Sequence, residues 1–174
     1  VTPLPALLRT AGYRTIHVGK AHFGAKDTPG ENPLNLGFDF KIAGHAAGGP
    51  GSYWGEKNFS AAWRTSPPDR IWDVPDLAAY HGTNIYLTEA LTQEAIKAIA
   101  KSVADQQPFY LYLAHYAVHA PWEKDDRFYQ KYLDAGLKPS EAILASMIEG
   151  MDKSLGDLMT ALDRLGIADN TIIV

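Results

Sequence analysis

Apolar and polar positions alternate from Tyr13 to Val18, the period of a half-buried strand, and the run stops at Gly19. Ahead of it, Thr2-Pro3 predicts an N-cap followed by Pro at the first helical position. Leu4, Leu7 and Leu8 give that helix one apolar face, and Gly12 stands where a helix stops. Beyond it, Gly37–Ile42 predicts a short strand after a turn. Thr88 predicts the N-cap of a helix reaching about Asp105, with Leu91, Ala95, Ile99 and Val103 near one stripe. Pro108–Ala114 is a near-continuous apolar run of strand length, as expected of a central parallel strand. Asp126–Tyr132 predicts a short helix. Pro139–Leu165 is the longest periodic segment, its single seam running through Leu144, Ile148, Met151, Leu155, Leu158, Leu162 and Leu165 and packing on a sheet. The β-branched run Asn170–Val174 predicts the start of a buried strand. The order of elements predicts an α/β fold, a mainly parallel sheet flanked by helices, left incomplete because the chain reads as an internal piece of a longer protein.

Residues 24–82 break this regularity. They hold most of the Gly and Pro with little periodicity, and 43–82 read as a loop-rich insertion. Tyr53, Trp54, Phe59, Trp63 and Trp72 argue against disorder, which is poor in aromatics. These rings serve either as a ligand wall or as cover for the edge of the core.

Composition narrows the function classes. The net charge of −4 comes from 16 basic and 20 acidic residues with no basic run, which argues against a nucleic-acid partner. No apolar stretch reaches the roughly 18 residues of a membrane span. Cysteine is absent, which removes disulfides, thiolate metal sites and a cysteine nucleophile.

The candidate chemistry sits just past two predicted strands. Lys20 and His22 are two residues apart between Gly19 and Gly24, and on extended backbone they face the same space. His115 and His119 follow the second strand, with Pro121 behind them. Parallel sheets bind ligands beyond their carboxyl ends, so both clusters fall on one edge. An ammonium beside imidazoles suits an anionic substrate. His17, inside the first strand and opposite in facing to Ile16 and Val18, reads as a packed structural histidine.

Leu4–Thr15 followed by Gly19-Lys20-x-His22-x-Gly24, then Gly37-Phe38-Asp39, then His119-Ala120-Pro121 at a strand end, then Asp169–Val174, resembles in order the sulfatase family of the alkaline-phosphatase-like superfamily. The resemblance implies a central part of a sulfatase catalytic domain spanning residues 1–174. It also implies a calcium ion and a formylglycine in the full-length protein, and a sulfated small molecule or glycan as substrate. A periplasmic or extracellular location goes with it. In that mechanism a formylglycine hydrate attacks the sulfur of the ester. By position, Lys20 contacts a sulfate oxygen, His22 the formylglycine hydroxyl, and His119 the bridging oxygen as general acid. His115, His45 and Trp54 are candidate substrate contacts, the last two on the wall formed by residues 45–72.

The family's paired metal-binding aspartates and its Cys/Ser-x-Pro-x-Arg motif precede the Gly-Lys-x-His segment, and its Asp-Asn-Gly motif follows the last strand. No metal ligand is therefore assigned within the chain, and the segment by itself is expected to be inactive. Ser66-Pro67-Pro68-Asp69-Arg70 fits Ser-x-Pro-x-Arg in letters but comes after Lys20 and lacks a following helix. Rival readings are a phosphodiesterase, phosphonate hydrolase or phosphoryl transferase of the same superfamily, and a non-catalytic anion- or carbohydrate-binding protein. A metal hydrolase using His22, His45, His81 and His119 lacks tight ligand spacing.

Overall fold

A computed structural model describes residues 2–64, 66–67 and 70–174. Arg14–Gly19 (β1), Phe40–Ile42 (β2) and Phe109–Ala114 (β3) form one parallel sheet with β1 in the middle. Ile16 lies opposite Phe40 on one side and Leu111 on the other. The central strand is thus β1, and the expectation that Pro108–Ala114 takes that place is corrected. β1 is bonded on both edges and buried along its length, whereas β3 is half-buried, with Tyr112 41% exposed.

The alternation of β1 sorts its side chains as the period demands. Ile16 and Val18 enter the main apolar core with Leu91 and Ala95. Thr15 and His17 take the other face. There Thr15 Oγ1 donates to Gly37 O and Asp39 Oδ2, and the His17 ring is enclosed by Phe23, Phe38 and Tyr112.

The helices are Leu4–Thr10 (α1), Leu87–Ala104 (α2), Tyr129–Asp134 (α3) and Pro139–Arg164 (α4). α1 is capped at Pro3, one residue later than Thr2-Pro3 suggests, and buries Pro5 while Leu4 and Leu7 stay exposed. α2 starts at Leu87 because the chain before it is fixed by tertiary pairing. Tyr86 forms an antiparallel bridge with Trp54, and Leu87 N donates to Tyr53 O. Thr88 lies inside the helix, buried, instead of capping it.

α2 packs on β1 and β3, and α4 packs chiefly on α2 and α3. The face α4 buries is not the expected leucine seam. It is the row Ala142, Ser146, Met147, Gly150, Ser154 and Ala161 with Leu162, while Ile148, Leu155 and Met159 stay exposed. Small residues win that face because a buried carboxylate must fit against it: a Cβ at Gly150 would stand 2.9 Å from Asp125 Oδ2. Asp125 is fully buried, its carboxylate accepts from Arg127 Nε and Nη2, and its backbone N–H donates to Ser146 Oγ. Arg127 also pairs with Glu89 of α2, so these ion pairs and the Ser146 hydrogen bond together tie α2 to α4.

Residues 43–82 are irregular but packed. Tyr53 and Phe59 are fully buried, Tyr53 stacking on Tyr86 at 5.3 Å between ring centroids, whereas Trp63 remains 54% exposed. Core cover is therefore one use of these aromatics. Pro68 and Asp69 of the Ser66–Arg70 motif lie outside the described residues. Ile172–Val174 is exposed and Thr171–Val174 makes no ladder pairing among the described residues, so the strand expected there is not formed. No described helix is long and apolar enough to cross a membrane.

Candidate functional site

Three chain segments leave the carboxyl edge of the sheet together. Lys20 exits β1 with its N–H bonded to Ala114 O at 2.7 Å, where β3 ends. Two residues on, His22 N donates to His45 O at 3.1 Å, which ties the β1 exit to the loop after β2. His22 has φ 54, so the backbone turns there instead of running on as a strand. The Lys20 ammonium has no hydrogen-bond or ion-pair partner among the described residues and sits half-buried past the strand end.

Gly48 and Gly49 bring the β3 exit to the same place. A Cβ at Gly48 would lie 2.6 Å from His22 Nδ1, and one at Gly49 would lie 2.5 Å from His119 Nδ1. Side chains do not fit at such distances, so the two bare residues are packed against the two imidazoles. Adjacent Cα atoms are 3.8 Å apart, which holds the two rings within about 12 Å of each other. His22 and His119, distant in sequence, therefore border one region at the sheet edge, next to the strand end that releases Lys20.

His119 is exposed and oriented. Its Nδ1 donates to Ala120 O at 2.7 Å, which leaves Nε2 as the nitrogen open to a ligand. Its carbonyl accepts from Tyr53 Oη at 2.8 Å. Burial raises the Tyr53 phenol well above its ordinary range, so Tyr53 stays protonated and keeps donating.

The remaining candidates are placed differently. His115 points inward from the end of β3: Nε2 meets Ser154 Oγ of α4 at 3.0 Å, Ser154 meets Thr92 Oγ1 at 2.6 Å, and Nδ1 is shielded from solvent. His45 is half-buried with Nδ1 3.2 Å from Tyr116 Oη, and burial lowers its pKa. Trp54 sets its ring edge-on to Tyr86, 5.1 Å between centroids, and packs against the core. Among the described residues no group of three or more His, Asp or Glu could hold a metal ion, so His22, His45, His81 and His119 do not form a ligand set.

Sequence reasoning missed Gly48, Gly49 and Glu123, and it offered Tyr53 as a wall or core-cover ring without its bond to the His119 carbonyl. Glu123 accepts from Ser52 Oγ, Tyr53 N and Lys57 Nζ, fastening the loop after β2 to the segment after β3. The one signal was a carboxylate four residues beyond His119.

His17 and His115 give the fold a pH dependence. Burial pushes each pKa from 6.5 down to about 4; at His17 Lys41 adds to the lowering and the Lys20 carbonyl opposes it. The unfolded chain then binds protons first as pH falls, so the contribution of these neutral rings is complete above about 6.5 and is lost toward pH 4. The thermal midpoint is expected to drop between pH 6.5 and 5, with a shallower drop in His17→Asn. An equal slope in the variant would exclude this role for His17.

The sulfatase family model matches residues 1–174. The chain is 32% identical to N-acetylgalactosamine-6-sulfatase of Mus musculus over 98% of its own length and 31% of that protein. It is 27% identical to arylsulfatase J of the same species, covering 98% of this chain and 27% of that one. The crystal structure of Ps i-CgsB in complex with k-i-k-neocarrahexaose superposes with a TM-score of 0.71 at 26% identity, over 93% of this chain and 36% of that one. The chain thus spans about a third of the length of the relatives it matches.

Proposed function

Since the chain belongs to the sulfatase family and carries part of its alkaline-phosphatase-like fold, we propose that the full-length protein hydrolyses sulfate esters, and that Lys20, His22 and His119 are this segment's share of the active site. The observation that carries the reading is the Gly48–Gly49 contact with both imidazoles beside the strand end that releases Lys20. An ammonium and two imidazoles at one edge fit an anionic ester and a hydroxyl nucleophile.

Each residue then has a task its surroundings permit. The unpaired ammonium of Lys20 faces a sulfate oxygen and offsets charge that grows in the transition state. His22 bonds the nucleophile's hydroxyl. His119, its Nδ1 occupied by Ala120 O, offers Nε2–H to the bridging oxygen so that the alcohol leaves protonated. A formylglycine, when present, supplies a geminal hydroxyl as nucleophile, and Lys20 and His22 are the residues that would hold it. Calcium takes oxygen ligands, which this nitrogen cluster does not offer, so its ligands would come from elsewhere in the protein. A sulfated carbohydrate is the substrate class best supported. One relative is named for N-acetylgalactosamine-6-sulfate chemistry and one structural neighbour holds a neocarrahexaose. The loop-rich stretch 43–82 would form the pocket wall.

The test is turnover by the full-length protein of 4-nitrophenyl sulfate and sulfated oligosaccharides, set against phosphate mono- and diesters. Sulfate release is expected to dominate, and residues 1–174 alone are expected to release none. Preference for phosphate esters would move the protein to phosphorus chemistry, and saturable binding without turnover would make it a binding protein.

A further inference from the structure

The loop after β2 does more than line a pocket. Two contacts from it converge on His119, Gly49 against the ring and Tyr53 Oη on the carbonyl at 2.8 Å, and behind Tyr53 the Glu123 carboxylate of the segment after β3 accepts from Tyr53 N at 2.7 Å. Glu123 is itself saturated by Ser52 Oγ at 2.7 Å and Lys57 Nζ at 2.6 Å, and its own carbonyl accepts from Tyr86 Oη at 2.6 Å. Tyr86 in turn stacks on Tyr53, closing a ring of contacts that starts and ends on the segment carrying His119. Apart from it, His119 is held by its N–H bond to Tyr116 O at 2.9 Å: the residue is exposed, and beyond its own neighbour Ala120 its ring has no hydrogen-bond partner among the described residues.

We infer that Tyr53 and Glu123 are positioning residues for His119, so that the loop which meets the substrate also sets the aim of the leaving-group imidazole. This rests on the reading of His119 as general acid. A proton donor that is aimed badly matters in proportion to how much the departing alcohol needs the proton. A nitrophenolate leaves almost unaided, whereas a sugar hydroxyl does not. Misaiming His119 therefore leaves a signature that general loosening of the fold does not.

The experiment uses the full-length protein with two substrates, 4-nitrophenyl sulfate and a sulfated monosaccharide, and three variants. Tyr53→Phe removes one hydroxyl and keeps the ring that stacks on Tyr86. It is expected to lower kcat for the sugar sulfate about tenfold, with less than about a twofold change for the nitrophenyl ester and KM little altered. Glu123→Ala should give the same asymmetry, and Glu123→Gln, which keeps an acceptor for Tyr53 N, should recover part of it. His119→Ala in parallel should show the asymmetry in full, with a loss of about 10²–10⁴ on the sugar sulfate. If His119→Ala is asymmetric and Tyr53→Phe lowers both substrates equally, the positioning role is refuted while the general acid stands. If His119→Ala affects both substrates equally, the general-acid reading fails and the positioning role falls with it.

Discussion

Lys20→Ala in the full-length protein is expected to lower kcat/KM for a sulfate ester by about 10²–10³-fold, the loss seen when one preorganised donor is removed from a developing anion. The fold should hardly register the change. Lys20 is fixed through its backbone, by the N–H bond to Ala114 O at 2.7 Å, and alanine keeps that bond. Its ammonium has no partner among the described residues, so its removal strands no opposite charge. The melting temperature should therefore stay within about 2 °C, as for substitutions that break no packing or buried bond. Lys20→Arg should restore little, because a broad planar guanidinium cannot place its charge where a compact ammonium stood. Activity within about threefold of the parent in Lys20→Ala would remove Lys20 from the site and leave the pair of imidazoles without their cation.

What the sequence revealed, and what it hid, follows the range of the interactions. β1 was legible because alternation reports burial residue by residue, and His17 was readable as a packed ring for the same reason. Lys20, His22 and His119 stand out as candidates because strands announce their own ends and parallel sheets collect polar groups there. α4 shows where that logic stops. Periodicity locates a helix of the right length, yet the leucine stripe is not its packed side. The contact with α2 and α3 selects small residues, and Gly150 yields to the carboxylate of Asp125. Short polar side chains on that face, Ser146 and Ser154, are consumed by Asp125 and His115. The same tertiary pull turns the His115 ring toward the α4 interface. Trp54 sits in the loop-rich stretch, yet its bridge to Tyr86 sets where α2 begins. Contacts of this kind, between two aperiodic segments, leave no period to count; Gly48-Gly49 and Glu123 belong to that class.

Gly19→Ala should be the most damaging single-methyl change in this part of the protein, costing about 3 kcal/mol or more. Two effects combine. Gly19 holds φ +99, a conformation that costs a side chain roughly 1–2 kcal/mol. The added Cβ would also stand 2.0 Å from Ala114 O and 2.9 Å from Ala114 C, and both are backbone atoms of the adjoining strand. Relief requires β1 and β3 to part at their carboxyl ends, in the range of about 1–3 kcal/mol typical of overpacking. Gly12→Ala separates the two effects. It shares the positive φ, +89, with nothing within 4 Å of the new methyl, so it should cost only about 1 kcal/mol. The comparison is made on thermal or urea midpoints of the two full-length variants. Because Ala114 O is also the acceptor for Lys20 N, Gly19→Ala should lose activity together with stability, whereas Gly12→Ala keeps its activity. Equal midpoints for the two variants would show that the strand ends are not pressed together at Gly19, and the placement of Lys20 beside the end of β3 would fall with that contact.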